Sequence, residues 1–199
     1  MLDMKKTKFG IMILLFVGGC VTKQERSFDI VEYPSPVLLR ECENVAIGDT
    51  EASLIFRELE KKLYEDESCV GLAAPQIGVS KKIVVIDIKE GGNHLYRLIN
   101  PKIASHSKEM SFSPEGCASM PGVYANVLRY NSVIVEYMDH NFQTQSVKAN
   151  GLLAFCLQHE IDHLHGKMFI DRLSASERAQ IVKKYEKSHS LAKQKVKNQ

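Results

Sequence analysis

The sequence predicts an α+β fold: antiparallel sheets packed around a central helix, with a second helix at the C-terminal end. Three observations predict it. Two stretches, residues 82–88 and 132–138, carry β-branched residues in strand-like patterns. Residues 151–165 read as a helix whose first half is apolar. Strands precede the main helices without a regular β-α alternation, which argues against a parallel, doubly wound sheet.

The elements follow in chain order. Thr50 can cap a helix running to about Asp66, because Ile55, Leu59 and Leu63 recur every four residues and share one face. Lys82-Ile83-Val84-Val85-Ile86-Asp87-Ile88 reads as a strand. Gly91-Gly92-Asn93 is a turn signal, and residues 95–99 read as the returning strand. Val133, Val135 and Tyr137 alternate along a further strand. Gly151 opens a helix through roughly His165, with Leu152, Leu153, Phe155, Cys156 and Leu157 as its apolar body. Ser174-Ala175-Ser176-Glu177 is a capping-box pattern that starts the last helix. No repeat or long linker interrupts residues 28–185, so they read as one domain, followed by a basic tail over 186–199.

Composition places this domain among ordinary globular proteins. Hydrophobic residues make up 44% and charged residues 25% of the chain, with a net charge of only +2. Much of that surplus lies in Lys5, Lys6 and Lys8, so no specific nucleic-acid partner is expected. The same lysines precede an apolar run over residues 9–17, too short for a bilayer, which needs about twenty residues. The run ends in Val17-Gly18-Gly19-Cys20, similar to the lipobox of bacterial lipoproteins. Residues 1–20 are therefore expected to be a signal segment, with Cys20 as a membrane tether in the cell envelope. The other reading is a cytoplasmic protein with an uncleaved extension. The five cysteines, irregularly spaced, make a poor disulfide framework. Cys156 reads as a small core residue, and Cys42 has no distinguishing context.

The chemistry concentrates in His159-Glu160-Ile161-Asp162-His163. Positions i and i+4 share a helix face, so both histidines can hold one ion from successive turns. Glu160, beside the first, can accept a proton from water. Asp162 either orients a ligand or faces solvent. A catalytic site of this kind needs a third protein ligand. At the metzincin offset stands Phe169, which cannot bind a metal, although Gly166 fits. At the thermolysin-type offset stands Lys183, with Glu177 and Glu186 off-spacing. The third ligand must come from elsewhere. Cys117, in a loop rich in Pro and Gly, offers a soft thiolate, against the plainer reading of a loop cysteine with no such role.

Three segments together resemble the bacterial peptide deformylases: Val70-Gly71-Leu72-Ala73-Ala74-Pro75-Gln76, Glu115-Gly116-Cys117-Ala118-Ser119, and Gln158-His159-Glu160-Ile161-Asp162-His163-Leu164. Their order and spacing agree with that family, and similarity extends over residues 28–185. The resemblance implies a metal-dependent hydrolase that removes the formyl group from N-terminal formyl-methionine, releasing formate. It implies Cys117, His159 and His163 as ligands of one divalent ion, Fe2+ foremost, with Zn2+, Ni2+ or Co2+ as alternatives. Glu160 would move the proton, Gln76 and the Ala118 N–H would stabilise the oxyanion, and Gly71 would let substrate approach. Formyl-methionyl peptides are the implied partners, and the ribosome too if the protein is cytosolic.

Two positions depart from the family's common pattern. Cys69 stands where Gly is usual, which raises the questions of backbone strain, a narrowed pocket and an oxidisable thiol. Ala118 stands where Leu is usual, which loosens the pocket wall while leaving the backbone N–H in place. The alternatives are a tethered, catalytically weak protein that binds formylated or other N-terminal peptides and, behind it, a metallopeptidase.

Overall fold

The computed structural model describes residues 28–89 and 95–197. The expected signal segment and the Gly91-Gly92-Asn93 turn lie outside the described residues. A five-stranded sheet has the order β1-β2-β3-β6-β7, every neighbouring pair antiparallel. Its strands are β1 (Gly71–Ala73), β2 (Ile83–Ile86), β3 (Tyr96–His106), β6 (Ser132–Met138) and β7 (Thr144–Asn150). A two-stranded ribbon pairs β4 (Met110–Glu115) with β5 (Ala125–Tyr130). Three helices complete the fold: α1 (Ala52–Glu65), α2 (Gly151–Leu164) and α3 (Ala175–Lys197). The architecture is α+β with antiparallel sheets, a central helix and a C-terminal helix, as the sequence predicts.

The burial pattern explains why β2 is continuously apolar. Val84 and Ile86 face α2, where they pack with Leu157, Ile161 and Leu164. Ile83 and Val85 face the other way, onto Ile55, Leu59 and Leu63 of α1. A strand covered on both faces has no polar side to display. A third apolar cluster joins Val127 of β5, Phe169 and Ile170 to Tyr185 of α3, which pins the last helix to the body.

Several boundaries differ from expectation, each for a local reason. Thr50 does not cap α1; the helix starts one residue later, with Glu51 at its N-cap and no side-chain cap bond. The returning strand does not stop at Ile99 but runs on to His106. Asn100 has a positive φ of 50°, and its side chain bonds the Val45 N–H (2.8 Å) and C=O (2.9 Å), so the ladder slips past Asn100-Pro101 as an irregularity and then resumes. β6 and the start of α2 stand where they are expected. The capping box also forms: Ser174 Oγ accepts from the Glu177 N–H, and Glu177 Oε2 accepts from the Ser174 N–H. The basic stretch after it is continuous with α3 rather than a separate tail. Among the described residues, no helix is long and apolar enough to cross a membrane.

Candidate metal centre and active site

The polar half of α2 is buried: Gln158, His159, Glu160, Asp162 and His163 are all at or below 8% exposure. Such a segment is stable only if each group finds a partner or holds a ligand. Gln158 locks the helix to β5, accepting from the Tyr130 N–H (3.0 Å) and donating to the Tyr130 C=O (2.9 Å). His159 and His163 stand one turn apart with ring centroids 4.9 Å apart. Cys117 reaches them from the loop that joins β4 to β5, where Tyr124 packs so closely on Gly116 that a Cβ there would lie 2.6 Å from its ring. Cys117 Sγ lies 3.3 Å from His163 Nε2. One ligand atom each from Cys117, His159 and His163 falls within a 4.8 Å span.

The donor set fits a divalent ion on several counts. His159 Nδ1 donates to Glu115 Oε2 at 2.8 Å, so its Nε2 is left to face the centre. His163 Nδ1 is buried with no partner. Burial pulls both imidazoles down. Bonds to Cys117 and Glu115 nevertheless carry His159 well above the usual histidine range, while the neighbouring His159 charge drives His163 further below it. Two imidazoles and a thiol this close hold competing protons, and a cation between them removes that competition. Phe169, at the metzincin offset, stacks on the His159 ring at a centroid distance of 6.3 Å.

Behind the histidines lies a charge network that sequence reasoning did not find. Arg129, 2% exposed, donates to both oxygens of Glu115 (2.7 and 3.0 Å) and to Asp162 Oδ2 (2.6 Å). Arg172 grips Asp162 from the other side, with one bond of 3.0 Å and a second, shorter one. Burial raises both carboxyls, but Arg129 and His159 hold Glu115 below its ordinary range, and Arg172 and Arg129 do the same for Asp162. Asp162 is therefore not solvated. Arg129 sits two residues after Val127, on the same inward side of β5, a phase that becomes visible only once that strand is placed.

The remaining expected site residues line one cleft of ≈ 460 Å³ beside the histidines. Glu160 is buried there, its Oε2 has no partner, and burial above all, with the Glu115 charge, pushes its pKa up to about 7. Gln76 is oriented by the Ala73 N–H, which donates to its Oε1 (2.8 Å), so its Nε2 points at Cys117 Sγ (3.5 Å). Ala118 is half-buried at the cleft wall. Gly71 has a further reason to be glycine: a Cβ there would meet Cys156 Sγ at 2.7 Å and Glu160 Oε1 at 2.9 Å. Cys156 is thus buried, as expected, but against the active cleft.

Cys69 also lines the cleft. It is not among the non-glycine residues with positive φ, so no backbone strain attends it. Burial first, then the Glu160 charge, pushes its thiol up to about 12. A thiol that stays protonated is a poor nucleophile toward oxidants, which argues against the oxidation hazard expected from the sequence.

A helix-borne His-Glu-x-x-His pair, completed by a cysteine and set beside a buried carboxylate, is the arrangement of a metal-dependent hydrolase. Comparison places the chain more narrowly. It belongs to the polypeptide deformylase family, whose profile matches residues 27–179. It is 40% identical to the peptide deformylase of Hydrogenovibrio crunogenus over 159 residues, 80% of this chain and 93% of the relative. It is also 40% identical to that of Rhizobium meliloti over 161 residues, 80% of this chain and 92% of the relative. Among solved structures, a peptide deformylase from Legionella pneumophila superposes with TM-score 0.76 at 36% identity, covering 82% of this chain and 96% of that one. One from Ehrlichia chaffeensis in complex with actinonin gives 0.74 at 35%, covering 81% and 96%.

Proposed function

We infer that the chain hydrolyses the N-formyl amide of formyl-methionyl polypeptides, releasing formate and a free N-terminal methionine. The observation that carries this reading is the convergence of Cys117, His159 and His163 beside the buried, unpaired carboxylate of Glu160. These three would hold a divalent ion. A soft thiolate with two imidazoles suits Fe2+, the ion we propose, and also admits Zn2+, Ni2+ and Co2+. When bound, such an ion supplies Lewis acidity, which eases removal of a proton from water and polarises the formyl carbonyl.

This chain's residues supply the rest. With a pKa near 7, Glu160 can take a proton from the attacking water at neutral pH and return it to the leaving amine. Gln76 Nε2 and the Ala118 N–H, both from residues that line the cleft, would donate to the formyl oxygen, where charge develops. Gly71, on the sheet edge, takes substrate backbone. Glu115 and Arg129 hold His159 in the tautomer that leaves Nε2 free. An intact ligand set with its proton acceptor favours turnover over a binding-only role.

Glu160→Gln is expected to retain the ion and lower formate release from formyl-Met-Ala-Ser by about 10²–10⁴-fold. Equal release by both proteins sinks this reading. Metal analysis of protein prepared without oxygen tests the choice of Fe2+. The lipobox-like Val17-Gly18-Gly19-Cys20 supports a membrane tether through Cys20, with a cytosolic, ribosome-associated protein as the other case. Loss of the membrane fraction on Cys20→Ala supports tethering, and an unchanged distribution rejects it.

A further inference from the structure

β1 forms one edge of the five-stranded sheet, with β2 on one side and no strand on the other among the described residues. On the β2 side, Val70 C=O accepts from the Asp87 N–H at 2.9 Å, and Leu72 stands opposite Val85. Residues that point their N–H and C=O at a partner strand alternate with residues that point them away. Val70 and Leu72 therefore address β2, and Gly71 turns its N–H and C=O toward the cleft. The same glycine lies against Glu160 Oε1, whose fellow oxygen is buried, unpartnered and set in that cleft. The outward Gly71 groups thus lie on a sheet edge beside Glu160.

The Gly71 carbonyl is not free. Cys69 Sγ donates to it at 3.2 Å. The thiol keeps its proton over the whole working pH range, so it remains a donor.

We propose that Cys69 is a specificity-determining residue, whose thiol occupies the Gly71 carbonyl and competes with a peptide N–H that would donate to the same oxygen. Resting on the deformylase reading, it predicts that the chain gains little affinity from that N–H. Exchanging one hydrogen bond for another is nearly neutral, whereas filling an empty acceptor is favourable. Cys69→Ala empties the acceptor and Cys69→Ser refills it with a hydroxyl.

The test uses the full chain loaded with zinc. Formyl-Met-Ala-Ser and analogues with each amide N–H in turn replaced by oxygen are titrated by calorimetry on a Glu160→Gln background. In parallel, kcat and KM for the intact peptide are measured with Glu160 present. With Cys69, amide and oxygen analogue are expected to bind within about 2-fold of each other at the position that pairs with the Gly71 carbonyl. With Cys69→Ala, one position gains ~3–10-fold for the amide alone, read also as a lower KM rather than a higher kcat. Cys69→Ser restores the Cys69 pattern. Equal changes for amide and analogue in Cys69→Ala overturn the proposal, as does strong amide preference at that position already present with Cys69. Thermal melting of each variant separates these outcomes from misfolding, and Cys69→Ser keeps the comparison available if Cys69→Ala unfolds. Formate release without the Cys69-dependent difference rejects this proposal alone. The difference in binding without any formate release rejects the deformylase reading alone.

Discussion

Arg129 is buried between two carboxylates. Glu115 takes two of its donors and Asp162 a third, at 2% exposure. The arginine thereby fixes Glu115, and Glu115 fixes the His159 ring. Removing the middle member should loosen the ion: Glu115→Ala is expected to lower metal affinity about 10–100-fold by chelator competition. A change under 2-fold would show that His159 is oriented without it. Asp162 contributes to acid stability. Its carboxyl is held below its ordinary 3.8, so the unfolded chain binds the proton more readily. The stabilisation is present above about pH 4 and is lost as pH falls through the folded-state value. Urea unfolding should show wild type losing stability toward pH 3 more steeply than Asp162→Asn; parallel curves would contradict this. Little of the network was legible from sequence. Glu115 and Asp162 are visible in motifs, but Arg129 lies 14 residues beyond Glu115 and 33 before Asp162, joined to them only by folding.

At the scale of elements, α2 and β1 are fitted to each other through Gly71. The strand approaches the helix until Cys156 Sγ and Glu160 Oε1 occupy the place of a Cβ. Gly71→Ala must push Glu160 or the strand aside by a few tenths of an ångström or more. A displacement on the order of 1 Å at a reacting group lowers rate about 10²-fold, so kcat/KM should fall far more than the melting temperature. A variant with wild-type kcat/KM would mean that the strand and helix part freely. The helices were legible because α1 keeps its apolar residues four apart and α2 is apolar before its histidines. β1, β4, β5 and β7 were not. β1 has only three residues, and β4 and β7 expose most of their positions, so neither shows a clear apolar alternation.

The whole molecule closes around the centre from three directions. The first motif lies on a sheet edge, the second in the loop of a separate ribbon, and the third on the helix between them. A ligand held by both the ribbon loop and the helix stabilises the fold that brings them together. Stripping the ion with a chelator should therefore lower the melting temperature, and zinc should restore it. The size of the effect is about 2.7 kcal/mol when free ion is ~100 times its dissociation constant. Unchanged melting with and without ion would separate the three ligands from any shared metal.

The sequence by itself determined the α+β class, the two helical histidines with Glu160, and membership of a family by three motifs in order. The class and the helical pair rest on local spacing, since a helical period places His159 beside His163 and β-branched runs make strands, while the family rests on the resemblance of the three motifs. The tertiary structure alone decided where Cys117, Gln76 and Gly71 meet that helix, and what stands behind it. It turned Asp162 from an open choice into a buried carboxylate held by Arg129 and Arg172, and Cys69 from an expected oxidation hazard into a hydrogen-bond donor on the Gly71 carbonyl. These are contacts between segments far apart in the chain, set by how sheet, ribbon and helix pack, and no local pattern encodes them.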